Sequence, residues 1–590
     1  MSSWMLRFCL LPVALILFVS SSAIAAEPLR YELRFWKPRT HLMDVTIHAT
    51  GLQGSSVEFT MPDWAPGSYY IENYAANVQR FHAVGTGGKA LAWRKTDSQT
   101  WQIERGSEKT ITVSYQIFGD TLENNQAQYS DRHAFIGGPA VWMYLVNGKD
   151  RPIELSVAVP PGWKVATGME RRSGGTFRAA DYDRFADAPL EISDFAEKDF
   201  EIFGTTYHVI VHDIQGREDF SKVAGDLQKA VQEIVATWAR RNGATWTAPF
   251  KEYWFLFHIS PNAEGGLEHL NSTQINFSTD WDDTGPAGMY GTQYTSKLWV
   301  SAHEFFHAWN VKRLRPRPIG PFDYSQMVHT PSLWISEGLT SYYGSLALAR
   351  SGLITPQQYL DCLGKLITNF EQEPRRSERS IEDTSWDTWF APWTLRQQTN
   401  LVNTTYSYYD GGQIVGHILD FAIRANTKNQ SPLDDWMRFL DSRYSLPKPG
   451  FEANDVVRAA SEVAGTDMAG IFRRYISGKD PLPYEEYCGY AGITVEKKLD
   501  PNKTWLGLAA EKGDDGHARI TNVIPGSPAA AAGFDRGDVV VAVGGRAMDF
   551  DRFVRATDEH KPDDSLRVLV LRLGEVKEIS VTLEPDPRPT

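Results

Sequence analysis

Cysteine is scarce: the 590 residues hold 3. So few thiols exclude a scaffold built on disulfides. Basic charge is also in deficit, with 60 Lys and Arg against 73 Asp and Glu and a net charge of −13. A chain that acidic repels phosphate backbones, which argues against nucleic acid as a partner. There is no internal repeat and no low-complexity tract, and after the first 25 residues no apolar run is long enough to span a membrane. What is present is 42% hydrophobic and 23% charged, the balance of a soluble globular protein and too apolar for a disordered one. The 19 Trp, 24 Tyr and 29 Phe point to large packed β-structure or an aromatic-lined cleft. At about 100–200 residues per domain, the length implies three or four domains.

Residues 1–25 read as a secretory signal peptide. Arg7 is the basic residue of the n-region, Phe8–Val19 is the apolar run, and Ala23-Ile24-Ala25 is a small-x-small cleavage site. The expected product is exported, periplasmic or secreted, with no membrane span after cleavage. Of the cysteines it keeps Cys362 and Cys488, which lie in segments of different character. They are expected as two thiols, with a pairing in an oxidising compartment left open.

Four segments follow. Residues 26–200 carry short alternating runs such as YELRFW, MDVTIHAT and KTITVSYQIFG, split by Gly, Pro and Asn clusters; this is the pattern of a β-sandwich. Residues 201–345 place the strands YHVIVHDI and EYWFLFHIS around an amphipathic helix, an α+β unit. Residues 346–485 are mostly helical, and residues 490–590 alternate strands and Gly turns around one Ala-rich helix. The fold class expected is multidomain α+β.

Within Ser301–Trp309, S-A-H-E-F-F-H-A-W, His303 and His307 stand four apart. On a helix both imidazoles leave one face a turn apart and can share a tetrahedral metal. Glu304 lies beside that face, where a carboxylate can take a proton from water activated by the metal. A third protein ligand is needed. A metzincin would supply a third His six residues on, but that position is Arg313. Glu337, in WISEGLTSYY, is the preferred third ligand, with Asp323 and His329 in the Pro-rich link as rivals.

Upstream, Gly265 and Gly266 allow close backbone approach next to Glu268, which is read either as an anchor for a substrate α-amine or as a solvated loop carboxylate. Tyr406, Tyr408 and Tyr409 precede a Gly-rich turn, where a hydroxyl can stabilise an oxyanion. Lys312, Arg313, Arg315 and Arg317 are read chiefly as offsetting the helix dipole and nearby carboxylates, or else as holding a substrate carboxylate. N-x-[ST] sequons stand at Asn271, Asn276 and Asn403, where glycans would obstruct the site.

HEFFHAWNVKRLRP, WISEGLTSYY, GGLEH, SYYDGG and MPDWAPGSYYIENY together resemble the glycyl aminopeptidase family of gluzincin zinc metallopeptidases. The resemblance implies an N-terminal β domain, a thermolysin-like zinc peptidase domain, a helical domain and a C-terminal PDZ domain. It implies one Zn²⁺ per chain on His303, His307 and Glu337, with Glu304 as general base. Relatives with a G-x-M-E-N motif bind the substrate amine through its Glu. Glu268 takes that place here, with His269 where the Asn would be. Relatives with Y-x-K-G donate to the oxyanion from its Tyr. Tyr409 aligns there, Gly411 replaces the Lys, and Tyr408 is its rival. In the tail, Leu506, Gly507 and Leu508 resemble the carboxylate-binding loop of a PDZ domain, which captures C-terminal peptides. The function expected is hydrolysis of small N-terminal residues, Gly or Ala, from peptides with a free N-terminus. The alternatives are a zinc endopeptidase and a PDZ-based peptide-binding scaffold with a vestigial metal site.

Overall fold

The computed structural model describes residues 27–213, 220–239, 246–261, 263–278, 290–390, 403–556 and 559–588. The signal-peptide expectation lies outside them. No helix among the described residues is long and apolar enough to cross a membrane.

The first segment is built from strands whose side chains alternate in and out. Leu42–Ala49 and Ile111–Phe118 bury every second residue, as a half-buried strand with period two must. They pair inside a seven-stranded sheet in which Leu29–Phe35 lies antiparallel to Leu42–Ala49 and parallel to Ile153–Ala158. A four-stranded sheet holds Ser56–Thr60 and Thr100–Glu104, and its Phe59 and Ile103 enter the same core as Val45, Ile47 and Val113. A third sheet contains His133–Ile136 and Leu190–Ser193, each buried at every position. Burial on both faces marks this sheet as an internal layer.

The central sheet runs in the order Ala196–Ile202, Thr205–Asp213, Glu252–Ile259, Ser272–Phe277, Gly265–Glu268. Thr205–Asp213 and Glu252–Ile259 are parallel and so need a crossover. The 19-residue helix Ser221–Ala239, which buries Val223, Leu227, Ile234 and Trp238, lies between them in the chain. Gly265–Glu268 is the antiparallel edge strand, and helix Gln293–Phe306 packs against it and against Ser272–Phe277. That helix starts where the Thr292 hydroxyl accepts the Thr295 N–H at 3.2 Å, satisfying an otherwise orphaned donor. Its Leu298, Ala302 and Phe305 recur at helical spacing and are fully buried.

Helices Thr340–Arg350, Pro356–Glu371, Tyr408–Asn426, Leu433–Tyr444 and Ala453–Ala464 follow. Cys362 and Cys488 are buried thiols not joined to each other. The last segment is a sheet of Leu508–Lys512, Ala518–Val523, Val539–Val543, Ser565–Arg572 and Glu575–Thr582. Its core, including Ile520, Val540, Val568 and Val570, is separate from the main one. The expected Ala-rich helix is Pro528–Ala532, and a second helix, Phe550–Ala556, joins it. Seven residues with two buried positions are too short to show a helical period.

Candidate active site

The first half of the site comes from two helical segments facing one another. His303 and His307 stand on the last turn of Gln293–Phe306 and at its C-cap, and both are buried. Glu337 stands on a π-helical segment, Trp334–Leu339, that leads into Thr340–Arg350; such widened turns recur at functional sites. Asn310 ties the two segments together by donating from Nδ2 to the Ile335 carbonyl at 2.8 Å and to Thr340 Oγ1 at 3.1 Å.

The three side chains converge. Glu337 Oε2 lies 3.1 Å from His307 Nε2 and 3.5 Å from His303 Nε2, and the two Nε2 atoms are 3.0 Å apart. The Nδ1–H of His307 donates to the Asn310 carbonyl at 2.7 Å, so once the ring is neutral its lone pair is on Nε2, the nitrogen that faces Glu337 and His303. His303 Nδ1 faces the Ser341 hydroxyl at 3.3 Å. Lone pairs and a carboxylate brought this close repel unless a positive charge lies among them. Ligands on a tetrahedral zinc with 2.0–2.1 Å bonds are about 3.3 Å apart, so this donor set fits that ion. Burial pulls His303 down to about 4. Burial would lower His307 too, but the carboxylates of Glu337, Glu268 and Glu304 hold it up at about 10. Burial would raise Glu337, but His307 and His303 hold it at about 2. The rivals lie elsewhere: Asp323 accepts from Ser325 and Gln326, and half-buried His329 bonds the Trp386 carbonyl.

Glu304 and Glu268 form the second half. Both are buried, and with His307 they make a further cluster of close donor atoms. Burial raises the Glu304 carboxyl well above the usual range; His307 opposes the rise, and the charges of Glu268 and Glu337 add to it. Burial likewise raises Glu268, with His307 and Lys312 opposing. Glu268 Oε1 is buried without a hydrogen-bond partner. Gly266 lies against the Glu304 carboxylate so closely that a Cβ there would overlap it. Gly265 has φ +108°, a conformation that L side chains rarely adopt. Gly67, in a loop of the first segment, has φ +99°, and a Cβ on it would come within 2.7 Å of both Glu268 carboxylate oxygens.

Asp187, from the first segment, organises the turn after Glu268. It pairs with Lys312 Nζ at 2.6 Å, accepts from His269 Nδ1 at 3.2 Å and accepts the Leu270 N–H at 2.8 Å. His269 is therefore bonded to Asp187. Arg313 donates to the carbonyls of Leu270 and Ala308 at 2.7 and 2.6 Å, so it offsets carbonyls at the end of the metal helix. Tyr408 is fully buried, and its hydroxyl lies 2.9 Å from Thr388 Oγ1. Tyr409 is half-buried, with its ring 6.2 Å from that of His303. The sequon at Asn276 is closed by burial, since its amide donates to the Leu122 carbonyl and to Asn124.

Tyr69 was not singled out in the sequence. It is buried, its ring meets Trp389 at 5.9 Å, and the charges of Glu337 and Glu268 act on its hydroxyl. The turn APGSYY was its signal, but nothing local links that turn to a helix more than 200 residues on. In the last segment, Leu506 is buried, and its carbonyl accepts the Ala529 N–H. Gly507 has φ +74°, and its carbonyl accepts from Ile524 N–H and Ser527 Oγ. Leu508 opens the edge strand of that sheet.

Residues 30–194 match the Peptidase M61 N-terminal domain, residues 296–415 match M61 glycyl aminopeptidase, and residues 489–583 match a PDZ domain. Among solved structures, the chain is similar to an aminopeptidase N family protein from Idiomarina loihiensis. The two are 26% identical with a TM-score of 0.86, covering 95% of this chain and 96% of that one. Among curated proteins, it is 38% identical over 101 residues to a probable periplasmic serine endoprotease, DegP-like, from Chlamydia pneumoniae. That match covers 17% of this chain, which spans only 20% of that relative's length. Both parts of the M61 pattern thus stand in order along the chain, the HExxH helix and Glu337 meet inside the part that matches M61 glycyl aminopeptidase, and a PDZ domain match follows at residues 489–583.

Proposed function

We propose that this chain is an exported zinc aminopeptidase that removes small N-terminal residues, Gly or Ala, from peptides. The observation that carries the reading is Glu268: a buried carboxylate with an unpartnered oxygen, in one cluster with Glu304 and His307. Leaving such an oxygen unbonded costs about 1–3 kcal/mol or more. A substrate ammonium placed there restores the lost bonds, and a blocked N-terminus cannot.

His303, His307 and Glu337 would hold one zinc. Bound there, it supplies Lewis acidity that polarises a carbonyl and makes water a better nucleophile at neutral pH. Glu304 Oε takes the proton from the attacking water and returns it to the leaving amine. Glu268 fixes the α-amine, so only the first peptide bond comes into reach. Tyr409 donates its hydroxyl proton in a hydrogen bond to the oxyanion. Gly67, Gly265 and Gly266 line the amine side with backbone, leaving room for the chain end. The PDZ edge strand at Leu506, Gly507 and Leu508 receives C-terminal peptides by strand addition.

The test is a panel of amino-acid p-nitroanilides, free and N-acetylated, with wild type beside Glu268→Ala and Glu304→Gln. Turnover of free-amine Gly and Ala substrates that collapses in both variants supports the reading. Cleavage of acetylated substrates that ignores Glu268 makes the chain an endopeptidase. Zinc that never binds, together with tight capture of C-terminal peptides, makes it a scaffold.

A further inference from the structure

A second group of metal-binding side chains lies outside the site described above. It sits between the internal layer of the first segment and the central sheet. His133 is on strand His133–Ile136 and Glu191 on Leu190–Ser193, which pair with each other. His258 is on Glu252–Ile259 and His212 on Thr205–Asp213, where the two histidines are direct cross-strand partners. His133, Glu191, His212 and His258 are all buried, none more than 4% exposed. Sheets that pack face to face ordinarily meet through apolar side chains. Four ionisable groups in that position are costly to desolvate unless something pairs with them.

We propose that His133, His258 and Glu191 form a second metal-binding centre, a structural site for a divalent ion of the zinc class, with the His212 ring packed on that of His133 beside it. Glu191 Oε2 lies 2.8 Å from His258 Nε2 and 3.4 Å from His133 Nδ1. One donor atom from each of the three residues lies within 4.8 Å of the others. The two carboxylate–imidazole distances resemble those of Glu337 to His307 and His303, at 3.1 and 3.5 Å, and fall around the roughly 3.3 Å of tetrahedral zinc ligands.

The hydrogen bonds around the cluster aim it inward. His133 Nε2 lies 2.6 Å from Gln128 Oε1, an acceptor that can only take a proton from the ring. Nδ1 of the neutral ring is then a lone pair directed at the Glu191 carboxylate, which is repulsive until a cation lies between them. His258 Nδ1 lies 3.1 Å from Asn276 Oδ1, an acceptor for its N–H in the tautomer that turns the Nε2 lone pair toward Glu191, and Asn276 is fixed in turn by donating to Asn124 Oδ1 at 2.7 Å. Outer partners of this kind orient the imidazoles of metal sites.

Glu191 Oε1, in the cluster, and His212 Nε2, beside it, are buried without a hydrogen-bond partner. The His212 ring stacks on His133 with centroids 4.3 Å apart and planes 9° apart. Imidazole nitrogens with one carboxylate select zinc and its neighbours in the first transition row over calcium or magnesium, which prefer oxygen. Full burial leaves no open position for substrate, so the role is structural: the ion cross-links two sheets from different segments. It also implies loading during folding, before the sheets close.

The test measures zinc stoichiometry in the full mature chain, unfolded with a chelator, refolded with Zn²⁺ and dialysed. Wild type is expected to hold two equivalents, and a His303→Gln/His307→Gln/Glu337→Gln chain one. Adding Glu191→Gln or His133→Gln to that chain should weaken the remaining equivalent more than about a hundredfold, beyond what loss of an outer partner does. Far-ultraviolet circular dichroism checks that these variants fold, and Glu191→Gln keeps the shape of the side chain. One equivalent in wild type and none in the triple variant overturns the proposal. So does a remaining equivalent whose affinity ignores both Glu191→Gln and His133→Gln. Because the second site is read in a chain that lacks the catalytic ligands, its presence or absence there leaves the aminopeptidase reading where it was.

Discussion

Glu304 and Glu268 touch the same pocket but carry different burdens, and substitution separates them. Glu304→Gln keeps size and polarity but cannot take a proton. It is expected to lower kcat by about 10²–10⁴-fold while zinc, read by mass spectrometry, stays bound. Glu268→Ala is expected to cost free-amine substrates about 1.5–3 kcal/mol, the worth of a hydrogen bond to a charged group, and to leave blocked substrates unchanged; the ratio of kcat/KM values for the two reads it. Asp187 makes a stability prediction. Burial would raise its carboxyl, but Lys312 and His269 hold it below the ordinary value. A depressed carboxyl contributes stability at pH above its unfolded value, near 3.9, and that stability is lost as pH falls through the lower folded value. Asp187→Asn should therefore flatten the acid limb of a stability-versus-pH curve. At neutral pH, breaking this buried pair should cost about 3–5 kcal/mol, measured by urea unfolding. Of these residues only Glu304 and Glu268 were visible in the sequence, each beside a motif. Asp187 was not, because it lies more than 80 positions from Glu268 in a stretch without a motif.

At the scale of elements, two glycine contacts set the clearance of the pocket. The edge strand Gly265–Glu268 lies against Glu304 because residue 266 has no Cβ, and the loop at Gly67 lies against Glu268 for the same reason. Gly67→Ala combines an unfavourable φ with a collision at 2.7 Å. It is expected to raise KM for free-amine substrates at least tenfold with zinc content unchanged, the strain being about 1–2 kcal/mol. The helix carrying His303 and His307 could be read from its sequence because spacing by four residues is local. The strands were legible from alternation. The π-helical turn at Trp334–Leu339 was not, since widening by one residue depends on what packs around it, here Asn310 reaching across to the Ile335 carbonyl.

Across the whole molecule, the PDZ domain has its own core, and described links to the rest include Asn403 Nδ2 donating to Asn522 Oδ1 and the Val523 carbonyl. A chain ending before residue 490 is expected to keep its zinc and its turnover of single-residue p-nitroanilides within about threefold, since a domain with its own core is separable. A larger loss would mean that Asn403, five residues before the start of the helix that carries Tyr408 and Tyr409, needs the PDZ domain to place it. The N-terminal segment is different: it supplies Gly67, Tyr69 and Asp187 to the pocket, so removing it should abolish activity even if the remainder binds zinc.

The sequence by itself determined the parts of this protein that rest on short-range geometry. These are the alternating strands, the amphipathic helices, the two histidines one turn apart, and the glycines beside Glu268. Tertiary structure decided what meets what. Glu337 joins His303 and His307, Tyr69 and Gly67 reach a pocket two hundred residues away, and His133 and Glu191 meet His258. Periodicity tells which side of a strand or helix turns inward. It does not tell which other face is waiting there, because that is settled by the packing of whole sheets, to which each residue contributes only a small part.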